Sequence, residues 1–346
     1  MAVPFNYTFG FGNFGSWCSS TPSLAVCNLF YKRLLDHGNM ASLGYDPHDP
    51  YPDTTIAAAG VGVHPQCSIP RRGHNGSLGN VGMIVACCLC FTFVVIMVLR
   101  ISQRVAAVAR QEMKILFLTY AAILPLQLLT SGSLLKQGSE TLVVFTAMQE
   151  ALQSCLYWVL LACAVVLTQV VDDGGAASLV PLALFYVAIF TMTMVVSLDA
   201  AYDFAHFALH SGHVLEDLYD PTLYTISFLI PLVGATMYAL LVVYVSVGML
   251  QEFKPLGWTI LAGIFWALSL LVNFLWSANL CQAANGRTDL SFMAVLLQSM
   301  AMWAIFQSWK RMTESDWAEG DQTVDAIQRP EYLQNGYDKL GPDDRD

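Results

Sequence analysis

The sequence predicts an all-α polytopic membrane protein: a bundle of seven transmembrane helices with a lumenal N-terminal segment and a cytosolic C-terminal tail. Three observations carry that prediction. The chain has 55% hydrophobic and only 12% charged side chains, where soluble chains carry roughly 25% charged residues, and its mean hydropathy is +0.52. Its charges are segregated, leaving seven stretches that reach the ~20 predominantly apolar residues a spanning helix needs. Basic residues at the ends of those stretches are unevenly shared between the two sides, which sets orientation.

Three regions follow: residues 1–78, read as a polar and irregular lumenal segment stabilised by disulfides; 79–309, the seven-span domain; and 310–346, an acidic cytosolic tail. The opening "MAVPFNYTFGFGNFG" has no basic n-region and no uninterrupted apolar h-region, so the first span is expected to act as the targeting signal. The expected spans are Val81–Leu99, Ile115–Leu135, Thr141–Val171, Ala176–Leu198, Pro221–Leu250, Pro255–Gly286 and Leu290–Trp309. The third is interrupted by Glu150.

Arg100, Arg104, Arg110, Lys114, Lys254, Lys310 and Arg311 flank one side of the spans. Arg71, Arg72, Lys136 and Arg287 flank the other. Seven against four places the N-terminus in the lumen and the tail in the cytosol. The two N-glycosylation sequons, at Asn6 and Asn75, fall in the N-terminal segment. Of nine cysteines, Cys87, Cys88, Cys90, Cys155 and Cys163 fall inside spans, where the residue behaves as a small apolar one. Cys18, Cys27, Cys67 and Cys281 all fall on the expected lumenal side. In an oxidising compartment four such cysteines imply two disulfides, with three connectivities open.

All seven histidines fall on the same side, three of them in "AYDFAHFALHSGHVLEDLYD" at 201–220. Asp203, His206, His210, His213 and Asp217 recur at intervals that place them on one helical face. His206 and His210, four residues apart, are the candidate metal ligands. The residue after His206 is Phe207, so the glutamate base of a zincin motif is missing. A solvated acidic and imidazole surface is the plainer reading of this stretch.

Inside the spans, Glu150 is the single acid well within an apolar run, with Gln149 and Gln153 beside it. An ionisable residue at membrane depth is by default a functional-site hypothesis, although Glu150 reaches the lumenal interface if the third span starts late. Gln127, Asn273 and Ser277 read as hydrogen-bonding glue between helices. The small-residue stretches "LVGAT" at 232–236 and "LAGIF" at 261–265 are candidate helix–helix contact patches, within the bundle or with a partner.

Several classes are excluded. No Lys lies between Lys254 and Lys310 to form a retinal Schiff base, and no GxxxxGK[ST] loop occurs. The acidic balance, net −10, argues against nucleic acid as a partner, and no cofactor is implied. The tail carries ten acids against five bases and has the composition of a disordered segment. Within it Glu314, Asp316, Glu319 and Asp321 have the spacing of di-acidic export signals read by vesicle coat proteins.

Six segments together bring one family into view: "FGNFGSWCSSTPSLAVCNLF" at 11–30, "PQCSIPRRG" at 65–73, "AVARQEMKILFLTY" at 107–120, "AMQEALQSCLYWVLLACAVVLTQVVDDG" at 147–174, "VGMLQEFKPLGWTILAGIFW" at 247–266 and "ANLCQAANGRTDLSFMAVLLQSMAMWAIFQSWKRMTESDW" at 278–317. In order and spacing the chain resembles the fungal chitin synthase export chaperone family. The resemblance implies a multi-pass endoplasmic reticulum protein, not an enzyme, that binds a chitin synthase as client and enables its export for cell-wall synthesis. It also implies that the four lumenal cysteines match the family's own, and that the turns at Arg110–Glu112, Asp172–Gly174 and Gln251–Gly257 recur and face the cytosol. Residues 31–63, the histidine stretch and Glu150 depart from the family's pattern. Processive glycosyltransferase motifs are missing from the sequence. Two other function classes stand beside the chaperone: a seven-helix zinc-dependent hydrolase using His206 and His210, and a receptor-like membrane protein.

Overall fold

In the computed structural model, which describes residues 10–36, 63, 67, 69–73, 77–104, 107–171, 174–205 and 218–313, seven helices are long and apolar enough to cross a membrane. Among the described residues two short helices come first, α1 (Gly15–Ser20) and α2 (Cys27–Asp36). The spans are α3 (Val81–Ser102), α4 (Arg110–Ser131), α5 (Glu140–Leu167), α6 (Ala176–Tyr202), α7 (Pro221–Met249), α8 (Lys254–Ala283) and α9 (Ser291–Met312). They alternate in direction, so α1, α2 and the turns leading into α5, α7 and α9 share one end of the bundle.

Element boundaries follow local chemistry more than hydropathy. Helix α4 starts at Arg110 rather than Ile115, with Glu112 in its first turn, where a carboxylate complements the helix dipole. Helix α5 ends at Leu167, short of Val171, because Gln169 adopts a left-handed φ of 58°. Helix α9 runs past Trp309 to Met312, with Lys310 and Arg311 in its last turn, again matching the dipole.

The centre consists of α4, α5 and α9, in whose apolar windows 56% of residues are buried; the other four spans bury 33% or less. The outer faces carry exposed apolar side chains such as Leu89, Leu184, Val187 and Leu240, as a lipid-facing surface requires. In the centre Tyr120 and Ser299 share a 2.8 Å hydrogen bond, and the Trp309 indole donates to the Val108 carbonyl at 2.8 Å. Trp309 is 1% exposed. Replacing it by alanine is expected to cost about 3–5 kcal/mol through the cavity left behind, read as a lowered Tm in detergent.

The first region differs from its reading as polar and irregular. Phe14, Cys18, Cys27, Leu29 and Phe30 of α1, α2 and the adjoining turns are 0% exposed. They pack with Val143, Val196, Ala200, Leu223 and Ile226 of α5, α6 and α7 in a second apolar cluster. Phe14 N–H donates to Leu218 O at 3.0 Å and Asp220 N–H to Gly12 O at 2.8 Å, stitching the segment to the chain entering α7. The structure pairs Cys18 with Cys27 and Cys67 with Cys281.

A polar hub braces the same end. The Asn80 amide caps α3 by accepting from Met83 N–H at 3.3 Å, and it donates to Asp289 at 2.8 Å. Asp289 also accepts from Ser277 at 3.2 Å and Ser291 at 2.5 Å. The preceding Gly79 has φ +78°, and a Cβ there would lie 2.7 Å from the Gly132 carbonyl oxygen, so the approach of the two chains requires glycine.

Helix α7 packs on α5 and α8 packs closely on α9, yet α7 and α8 meet at few positions although only residues 250–253 join them. They splay apart within the bundle.

A polar cavity and an apolar cleft within the bundle

Helix α5 begins at Glu140, so Glu150 lies about 15 Å along its axis, at depth rather than at the helix start. Glu150, Gln153 and Tyr157 repeat at helical spacing on one face, and together with Gln149 they line a cavity of about 420 Å³. Four other spans contribute polar groups to it: Gln127 and Ser131 from α4, Ser227 from α7, Ser269 and Asn273 from α8, Ser291 and Gln298 from α9.

Two of the three π-helical turns among the described residues, Thr225–Leu229 in α7 and Val272–Trp276 in α8, lie on this wall. Such turns are often found at functional sites. The first has a local cause: Pro231 has no N–H to offer the Ser227 carbonyl, and just before it the Ile230 N–H reaches back to Thr225 O instead. The widened turns bring Ser227 and Phe228 from one side, and Asn273 and Phe274 from the other, into the same space.

The N-terminal segment covers one end. The Trp17 ring lies 4.5 Å from Phe228, 5.5 Å from Tyr224 and 5.2 Å from Phe274, centroid to centroid, and Trp17, Ser23, Leu24 and Ala25 all line the cavity. Below, a second space of about 370 Å³ lies between α7 and α8, floored by α5 and α9. Tyr157, Leu232, Trp266 and Gln298 line both spaces, so the polar cavity continues into an apolar cleft. The Trp266 indole donates to the Tyr157 hydroxyl at 2.8 Å where the two meet.

Both small-residue patches open onto this cleft. Leu232, Ala235 and Thr236 line it from α7, and Ala262 and Gly263 from α8. A Cβ on Gly263 would meet nothing within 4 Å, whereas one on Gly234 would touch Tyr157 of α5 at 3.6 Å. The first patch therefore serves internal packing as well as the cleft, and the second faces open space.

The lining is rich in neutral hydrogen-bonding side chains. Among the described residues Glu150 is its single carboxylate, and no Lys, Arg, His or Cys accompanies it, so those residues form no nucleophile–base pair and no pair of acids. Asn273 Oδ1 is buried without a hydrogen-bond partner among the described residues, which differs from its reading as glue between helices. Gln149 does hold a neighbour, accepting a hydrogen bond from the Thr130 hydroxyl of α4. Ser277 acts as expected of glue, through Asp289.

Elsewhere, the structure brings the Arg110–Glu112 turn against the start of α6: buried Glu112 accepts from the Ser178 hydroxyl at 2.7 Å. Asn6, Asn75, Asp172, Asp173, His206, His210, His213, Asp217, Glu314, Asp316, Glu319 and Asp321 lie outside the described residues. Among the described residues no group of three His, Cys, Asp or Glu side chains is placed to hold a metal. Sequence reasoning did not single out Ser227, Ser269 and Gln298 for the cavity. Their signal was a polar residue recurring at helical spacing within an apolar run, which interhelical hydrogen bonding imitates.

A family described as "Chitin synthase export chaperone" matches residues 10–322. Proteins named chitin synthase export chaperone from Chaetomium globosum and from Fusarium oxysporum f. sp. lycopersici are 25% and 24% identical to it, over 89% of this chain and 84% and 83% of theirs. One of the same name from Kluyveromyces lactis is 21% identical over 88% of this chain and 93% of its own. No solved structure matches.

Proposed function

Because this chain belongs to the chitin synthase export chaperone family, we propose that it binds a chitin synthase in the endoplasmic reticulum membrane and enables its export. That role is not enzymatic, and it supports deposition of cell-wall chitin. The observation that carries it is the family match across the described spans and the N-terminal segment alike, residues 10–322. A cavity lined, among the described residues, by one carboxylate and many neutral polar groups agrees with a binding protein.

On this reading the α1–α2 end is lumenal. Both disulfides lie at that end, and disulfides persist in oxidising compartments. Asn6 is then available for glycosylation, and the tail residues Glu314, Asp316, Glu319 and Asp321 face cytosolic vesicle coat proteins. The His206 and His210 loop is part of the lumenal surface.

Deleting the gene and following each tagged chitin synthase of the host by fluorescence microscopy tests the function. One synthase is expected to stay in the endoplasmic reticulum while the others reach the cell surface, and the wild-type gene is expected to restore it. Normal travel of every synthase would remove the chaperone reading.

A further inference from the structure

We propose that the cleft between α7 and α8 seats one transmembrane helix of the client, and that Glu150 pairs there with a basic side chain carried by that helix. The proposal rests on the export-chaperone reading and specifies its site.

The bundle leaves room at this place. Consecutive helices α7 and α8 are splayed, and their facing walls carry small residues, Ala235 on one side and Ala262 and Gly263 on the other. Small residues let a third backbone come close, which is how helices gain dispersion energy in lipid. Gly263 is exposed, with open space where its Cβ would be. Among the described residues no helix of the chain occupies this cleft, and its small and apolar walls suit the side of a helix.

Charge selects the occupant. An acyl chain could fill the apolar cleft, but it would bring no cation to Glu150 and no donor to the buried Asn273 Oδ1 at the upper end. Among the described residues no Lys, Arg or His lines the cavity, and an acid at this depth without a countercharge is costly. A helix bearing Lys or Arg at the level of Glu150 satisfies the acid and has its own membrane-buried charge neutralised in return. A client helix of that kind is unsuited to lipid alone, which gives a physical reason for a chaperone to hold it.

A photo-crosslinking residue at Gly263 tests the seat, with one at Val187 of α6, 60% exposed on the outer face, as control. Both are expressed in cells carrying the tagged synthase retained on gene deletion. The synthase is expected to crosslink from 263 and not from 187. Adducts to lipid alone from 263, or equal crosslinking from both positions, overturn the seat. Glu150→Gln is expected to lower synthase recovery about tenfold, the effect of losing one good intramembrane interaction, while Glu150→Asp keeps most of it. Undiminished recovery with Glu150→Gln overturns the pairing. Gly263→Leu points into open space, so it should leave the protein monodisperse in detergent while blocking capture. Absence of the synthase from wild-type preparations would instead sink the export-chaperone reading itself. A synthase that is exported normally by Gly263→Leu, yet retained when the gene is deleted, sinks only the seat.

Discussion

Arg33→Ala is expected to free the N-terminal helices from the bundle and cost about 3–5 kcal/mol, the usual result of removing one partner from a buried set of charges. Arg33 is 2% exposed on α2, with its guanidinium 5.1 Å from the Phe30 ring. Burial pushes it below the ordinary arginine range, and Asp220, Asp203 and Asp199 oppose that shift. These acids sit at the end of α6 and the start of α7. Burial likewise raises the Asp220 carboxyl, against the Leu223 N–H it accepts and the charge of Arg33. Without the cation the repulsion between buried Asp199 and Asp220 would be left uncompensated. Limited proteolysis should then cut between α2 and α3, and the Tm in detergent should fall by several degrees. Arg33→Lys should recover part of the loss. An unchanged Tm and protease pattern in Arg33→Ala would mean the cluster is solvated and the N-terminal segment is held by its apolar contacts alone.

The two disulfides are expected to differ in weight. Cys67–Cys281 spans a sequence separation of 214 and Cys18–Cys27 one of 9. In the chain-entropy estimate the longer loop is worth about 5 kcal/mol and the shorter about 3 kcal/mol. The longer bridge also ties the chain before α3 to the last turn of α8, beside the Asn80–Asp289 bond that joins α3 to the entry of α9. Paired alanine variants test this: Cys67→Ala with Cys281→Ala should lower the Tm more than Cys18→Ala with Cys27→Ala. Reductant should lower the wild-type Tm at least as far as the first pair does. The reverse order would show that packing of Cys18 and Cys27 in the apolar cluster, not loop closure, dominates.

Some of this site was legible in the sequence. Glu150, Gln149 and Gln153 stood out because an acid within an apolar run is rare, and the structure places all three on the cavity wall. The patches at 232–236 and 261–265 stood out by residue size, and both reach the cleft. Asn273 was equally visible but was read as interhelical glue. Whether a polar residue faces a neighbour or an empty space depends on helix rotation and spacing, which a single run of residues does not encode. The buried character of α1 and α2 was obscured for a similar reason. Lys32, Arg33 and Asp36 make α2 look like a surface helix, and only the acids at the ends of α6 and α7 explain a buried Arg33.

By itself the sequence determined the number, order and approximate limits of the seven spans, and the grouping of four cysteines at one end. Partition into a membrane is a local property: each window of about 20 residues satisfies or fails it alone. Only the tertiary structure decided which cysteines pair, that Asn80 meets Asp289, that α7 and α8 stand apart, and that Glu150 shares a cavity with Asn273. Each of these joins residues from distant parts of the chain, and their meeting depends on how whole helices pack and rotate against one another.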